Sequence, residues 1–151
     1  FADQVVVMQD GEIVQIGSPV ELFERPQHTF VGHFIGSPGM NILPASVRNG
    51  QVVFEGHDVA VEGRVTGDGG TTELGIRPEF VRLADSGVQA RVHKVSDVGR
   101  HAVVETRVGD TAVKAIVDNA TFEQGQPVCL AFQQDQTRLY RDGWIATEAG
   151  T

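Results

Sequence analysis

The side chains able to do chemistry are few, and their spacing argues against catalysis. A P-loop needs a glycine-rich turn, whose backbone N–H groups hold phosphates, followed by Lys and Ser/Thr. Only two lysines are present, in Val92-His93-Lys94 and Ala112-Val113-Lys114, and neither follows a glycine. The run Gly67-Asp68-Gly69-Gly70-Thr71-Thr72 supplies glycines but no lysine and no following helix, so it reads as a flexible surface loop. The five histidines are His28, His33, His57, His93 and His101. A helical metal pair needs an i, i+4 spacing, whereas His28 and His33 stand five apart, roughly 140° around a helix. His93 and His101 fall on separate expected strands and can meet across a sheet, but no carboxylate or thiol spacing completes a ligand set. No G-x-S-x-G elbow occurs. The single cysteine, Cys129, lies in Pro127-Val128-Cys129-Leu130-Ala131-Phe132 and is expected to be a buried, inert thiol. We therefore expect no catalytic, cofactor-binding or metal-binding residue in this chain.

Composition narrows the partners. Twelve Lys+Arg stand against 20 Asp+Glu, a net charge of −8 over 151 residues. Such a field repels a phosphate backbone and an anionic membrane, so nucleic acid is not expected as a partner. A lone cysteine forbids an internal disulfide and fits a reducing compartment. No apolar run approaches the ~18 residues of a membrane span, and no signal peptide is expected.

The elements that would carry these side chains change character along the chain. Val5-Val6-Val7-Met8 and Ile13-Val14-Gln15-Ile16 flank Asp10-Gly11, which predicts a hairpin because both central residues tolerate positive φ. Ser18-Pro19-Val20-Glu21 combines a capping box with proline at the first helical position, and the helix must stop before Pro26. A second short helix is expected over 28–35, ended by Gly36, with Phe30, Val31, Phe34 and Ile35 on one face. With Leu22 and Phe23, these form a candidate docking face. It serves either the local core or a domain outside this chain, and self-association through 19–35 follows from the second reading.

Gly36-Ser37-Pro38-Gly39 reads as a linker, and beyond it short strands are expected at 40–47, 51–55, 58–61, 73–77, 89–97, 102–108, 112–117, 128–132 and 138–140. Many short strands joined by Asn49-Gly50, Glu55-Gly56 and Gly109-Asp110 turns favour a small barrel or sandwich, with two half-sized barrels suiting the count better than one.

Two stretches resemble a known family. Ala2-Asp3-Gln4 through Gly17-Ser18-Pro19 resembles the closing strands of the nucleotide-binding domain of ABC transporters. Its continuation through Phe34-Ile35-Gly36-Ser37-Pro38 and Met40-Asn41-Ile42-Leu43 is similar to the maltose and glycerol-phosphate importer branch. Leu74-Gly75-Ile76-Arg77-Pro78-Glu79 looks like the hallmark of that branch's C-terminal regulatory region.

The resemblance implies a mainly β fold: OB-like small barrels, of the transport-associated OB type, preceded by a hairpin and two short helices. The implied division is 1–36 as the end of the nucleotide-binding domain, 37–145 as the regulatory region and 146–151 as a tail. It further implies a cytoplasmic parent ATPase, peripheral at the inner face of the membrane, using ATP and Mg. Its partners would be a second copy of itself, membrane-spanning importer subunits and a regulatory protein, and its cargo a sugar, polyol or glycerol-phosphate-like solute. This chain itself is expected to be non-catalytic, because the family's P-loop, signature motif and catalytic residues match nothing here. Arg77, Pro78 and Glu79 are the motif's structural or regulatory candidates. The competing reading is a stand-alone OB-like barrel that binds a small ligand or oxyanion.

Overall fold

The computed structural model describes residues 3–97, 99–118 and 121–148. The chain opens with an antiparallel hairpin, β1 (Val5–Gln9) and β2 (Glu12–Gly17). Its turn residues Asp10 and Gly11 take φ of 52° and 80°, as an Asp-Gly hairpin requires. Two one-and-a-half-turn helices follow, α1 (Pro19–Glu24) and α2 (Thr29–Phe34). Ser18 Oγ caps α1 by accepting the Glu21 N–H at 3.1 Å. Glu21 answers through the Ser18 hydroxyl at 3.3 Å rather than through its backbone N–H, so the capping box is half-built.

The rest is β. The expected strand at 40–47 breaks at Ala45 into β3 (Asn41–Pro44) and β4 (Ser46–Arg48), which join different sheets. β4 continues into a three-stranded meander with β5 (Gln51–Phe54) and β6 (His57–Val59). β7 (Arg64–Val65), β8 (Thr72–Ile76), a 3-10 turn at Pro78–Phe80 and β9 (Val81–Ala84) come next. β9 has no counterpart among the expected strands.

The long strands β10 (Val88–Asp97), β11 (Ala102–Val108), β12 (Thr111–Val117) and β13 (Pro127–Phe132) complete a five-stranded antiparallel sheet ordered β12-β11-β10-β13-β9. β9 and β12, its two ends, lie against each other, so the sheet curls toward a closed barrel. β14 (Arg138–Arg141) and β15 (Trp144–Ile145) extend the second sheet, ordered β15-β14-β8-β3, and β16 (Thr147–Glu148) pairs with β7.

Burial follows the two-residue strand period. Along β11 the buried positions are Ala102, Val104, Thr106 and Val108, and along β10 they are Val88, Ala90 and Val92. One apolar cluster links all of the post-helix sheets: Leu43, Phe54, Val59, Leu74, Val113, Leu130 and Leu139 all belong to it. The chain is mainly β, with an OB-type barrel region behind a hairpin and two short helices, as expected.

Candidate functional site

The Gly75-Ile76-Arg77-Pro78-Glu79 segment sits where the helices meet the barrel. β8 ends at Ile76, Arg77 remains extended, and Pro78 starts the 3-10 turn, where its missing N–H costs nothing. The Arg77 side chain points back into the helical segment and is only 4% exposed. Its Nε donates to the Phe23 carbonyl at 3.0 Å and Nη1 donates to the Gly32 carbonyl at 3.3 Å. Both carbonyls lie near the C-terminal ends of their helices, where backbone acceptors lack intrahelical partners and carry partial negative charge. One guanidinium therefore closes the ends of α1 and α2 together, and it also stacks on the Phe23 ring at 4.1 Å.

Gly36 permits this approach: it has φ of 111°, and a Cβ there would lie 2.7 Å from Arg77 Nη1. Burial lowers the pKa of Arg77 from its ordinary value, and nearby Glu79 opposes that shift. Pro78 is buried and Glu79 exposed, so the three motif residues divide into a clasp, a turn and a surface charge.

Two further contacts fix the same junction, and a third braces the strands beneath it. Tyr140 Oη donates to the Pro26 carbonyl at 2.6 Å from a buried position. Burial pushes its pKa up, so the phenol keeps the proton it donates. His28 caps α2, its Nδ1 accepting the Phe30 N–H at 3.0 Å, and its ring meets Trp144 edge-on at 4.7 Å. Burial lowers the pKa of His28, favouring the neutral ring that can accept. Asn41 is buried and pairs with the Lys114 backbone through two bonds of 2.9 Å, joining β3 to the free edge of β12 as a strand would.

The candidate docking face divides in two. Leu22 and Val31 are buried at 1% and 0% exposure and present nothing outward. Phe23 is half-buried under the Arg77 guanidinium, Phe30 and Ile35 are half-buried, and only Phe34 stands clear, at 64%. The reason is that α1 and α2 pack on each other and on the strands beside them, consuming the inward half of the stripe. Exposed apolar surface lies instead on the hairpin. Val6 pairs with Ile16 and Met8 with Ile13, and all four face outward together. Among the described residues, every exposed large hydrophobic side chain except Trp144 lies between Val6 and Phe34.

The chemistry-bearing residues remain scattered. His93 is the bulged residue between Val92 and Lys94 and faces Glu105 at 3.8 Å, while His101 meets Asp118 at 3.1 Å. Cys129 is half-buried rather than enclosed, at an open groove with Arg91 and Arg107. The glycine loop is not free either: Arg141 binds the carbonyls of Thr66 and Gly67, both at 3.2 Å, and that of Gly69, and Asp142 accepts the Thr71 N–H. Sequence reasoning missed Tyr140, the strand-bridging Asn41 and the capping role of His28. The His28-Thr29-Phe30 run carried a signal, because a ring nitrogen just ahead of a helix can cap it.

A curled β barrel clasped by a buried arginine to two short helices defines a domain of the OB type. The chain matches the MalK OB fold domain over residues 36–81 and the TOBE domain over residues 74–139, the two overlapping on the strand and turn that carry Arg77. Over these segments it is similar to ATP-binding subunits of ABC importers.

An uncharacterised ABC transporter ATP-binding protein of Sinorhizobium fredii is 36% identical over 99% of this chain and 42% of its own length. The sn-glycerol-3-phosphate import ATP-binding protein of Ruegeria pomeroyi is 38% identical over 78% of this chain and 33% of its own length. The maltose/maltodextrin import ATP-binding protein of Yersinia pestis is 31% identical over 94% of this chain and 45% of its own length. The chain thus spans less than half the length of these relatives.

Proposed function

We propose that this chain is the regulatory and dimerisation portion of the ATP-binding subunit of a bacterial ABC importer. Its cargo is a sugar, polyol or glycerol-phosphate-like solute. The carrying observation is the contrast between a barrel with its own core and a hairpin whose apolar face, Val6, Met8, Ile13 and Ile16, is uncovered. Such a face suits the edge of a larger domain, and the greater length of the relatives supports one. In this reading residues 1–36 complete a nucleotide-binding domain, 37–145 form the regulatory region and 146–151 a tail. ATP and Mg bind only in the remainder of the parent, and this chain hydrolyses nothing.

Two parent subunits pair with each other and with membrane-spanning subunits at the inner face of the cell membrane. A regulatory protein is a further partner. Names of the relatives support the solute class, since they include importers of sn-glycerol-3-phosphate and of maltose or maltodextrin. The test is the native gene. DNA upstream of the Phe1 codon should encode a P-loop and a switch histidine, and the longer protein should hydrolyse ATP while this chain does not. An initiator Met a few residues upstream would sink the proposal.

A further inference from the structure

A second seam joins the helices to the barrel, and a histidine sits at its centre. Residues 27–29 lie along the β14–β15 hairpin as an added strand would. The Thr29 N–H donates to the Gly143 carbonyl at 2.9 Å and the Ile145 N–H to the Gln27 carbonyl at 2.8 Å. His28 itself stands opposite Trp144. Its ring is wedged in place, with Nδ1 accepting the Phe30 N–H at 3.0 Å and Trp144 edge-on at 4.7 Å. On the far side a Cβ at Gly143 would lie only 2.6 Å from Nε2. Nδ1 accepts only while it carries no proton. A proton there would set two N–H groups against each other and leave the first turn of α2 without this cap.

We propose that His28 is a proton-operated latch: on acidification its protonated ring releases residues 27–29 and the start of α2 from the β14–β15 hairpin, while the barrel stays closed. Nothing nearby offsets the new charge, since among the described residues no carboxylate forms an ion pair with the ring. On the facing hairpin Asp142 accepts the Thr71 N–H and Arg141 binds the glycine loop, while Tyr140 donates to Pro26. On α1, Glu21 answers Ser18, Arg25 pairs with Glu62, and Glu24 lines a cavity in which His28 has no part. β3 brings no titratable side chain. His33 lies in the last turn of α2, where a proton steadies a helix, so its titration works against release. The released ring protonates near the ordinary 6.5, whereas burial holds the latched ring below that value. The latch is therefore fully closed above about pH 6.5, and its opening constant grows up to about tenfold for each pH unit below. Opening loosens how the helices sit on the barrel. This device does not depend on the importer reading, and its failure would leave that reading untouched.

The test is amide hydrogen exchange of the whole chain and of His28→Asn, compared at the same pH so that intrinsic exchange cancels. At pH 7.5 the Thr29 and Ile145 amides should exchange alike in both. At pH 5.5 those of the parent should exchange about tenfold faster than those of the variant. Amides of β11 should match at both pH values, and His33→Gln should respond as the parent does. Trp144 is the single tryptophan, so its emission reads the latch as well. It should change between pH 7.5 and pH 4.5 in the parent and stay flat in His28→Asn. If that variant does not fold, the parent decides alone, through the ratio of Thr29 and Ile145 exchange to β11 exchange at the two pH values. The proposal is overturned if that ratio does not rise on acidification, or if β11 loosens by the same factor. It is also overturned if parent and His28→Asn exchange alike at pH 5.5, or if Trp144 emission in the parent ignores pH.

Discussion

The barrel and the hairpin are both antiparallel β, yet they bury their side chains in opposite ways. In the barrel, Leu43, Leu74, Leu139, Val104 and Val113 are wholly enclosed, and each sheet is covered by another. In the hairpin, four apolar side chains on one face meet solvent at half exposure or more. An isolated two-stranded hairpin is at best marginal in water, so this one depends on α1, which packs on β2, and in the proposed reading on a further cover for its open face. The lesson is that the barrel encloses its own core, whereas the hairpin leaves one apolar face open. The Arg77 clasp joins the barrel to the two helices that follow the hairpin.

Mutations should widen that contrast, beginning with the core. Leu74→Ala leaves a cavity in the shared cluster and should cost about 2–5 kcal/mol in denaturant unfolding. Ile13→Ala on the open hairpin face should change the stability of the isolated chain by less than about 0.5 kcal/mol. Equal costs at the two sites would erase the distinction. At the junction, Tyr140→Phe strips the Pro26 carbonyl of its donor in a buried setting and should cost about 1–3 kcal/mol. Ser18→Ala removes the cap of α1 and should cost about 1 kcal/mol.

A smaller effect is pH-dependent. Burial holds the pKa of His28 below its ordinary 6.5, so the unfolded chain takes up the proton first. Stability from this site is full above about pH 6.5 and falls as pH drops toward the folded value. Protonation also removes the acceptor that caps Phe30. His28→Asn keeps a capping acceptor without the titration. The gap in unfolding free energy between parent and variant should therefore shift against the parent between pH 7.5 and pH 5. A gap independent of pH would remove His28 from the junction.

Much of this architecture is legible in local sequence. Asp10-Gly11 and Ser18-Pro19 announce themselves because their conformations are set by neighbouring backbone, and the alternation from Val128 to Phe132 announces a strand. What stayed hidden depends on distant partners. β9 follows directly on a proline turn and is held by pairing with β13, so its four residues give little local signal. The break at Ala45 is invisible because it reflects a change of sheet rather than of composition. Arg77 could be singled out by its motif, but its role lies in carbonyls 54 and 45 residues away. For Leu22 and Val31 the core and docking readings both stayed open, because helical periodicity marks an apolar stripe without saying which half the local fold consumes.

Hydrogen exchange on this chain and on the longer polypeptide that the proposed function expects of its native gene tests the central claim most directly. Completion of the hairpin by another domain predicts that amides of Val5–Gly17 exchange at least about tenfold more slowly in the longer protein, while β10 to β13 exchange alike in both. Identical exchange across Val5–Gly17 in the two proteins would contradict a hairpin built to be covered.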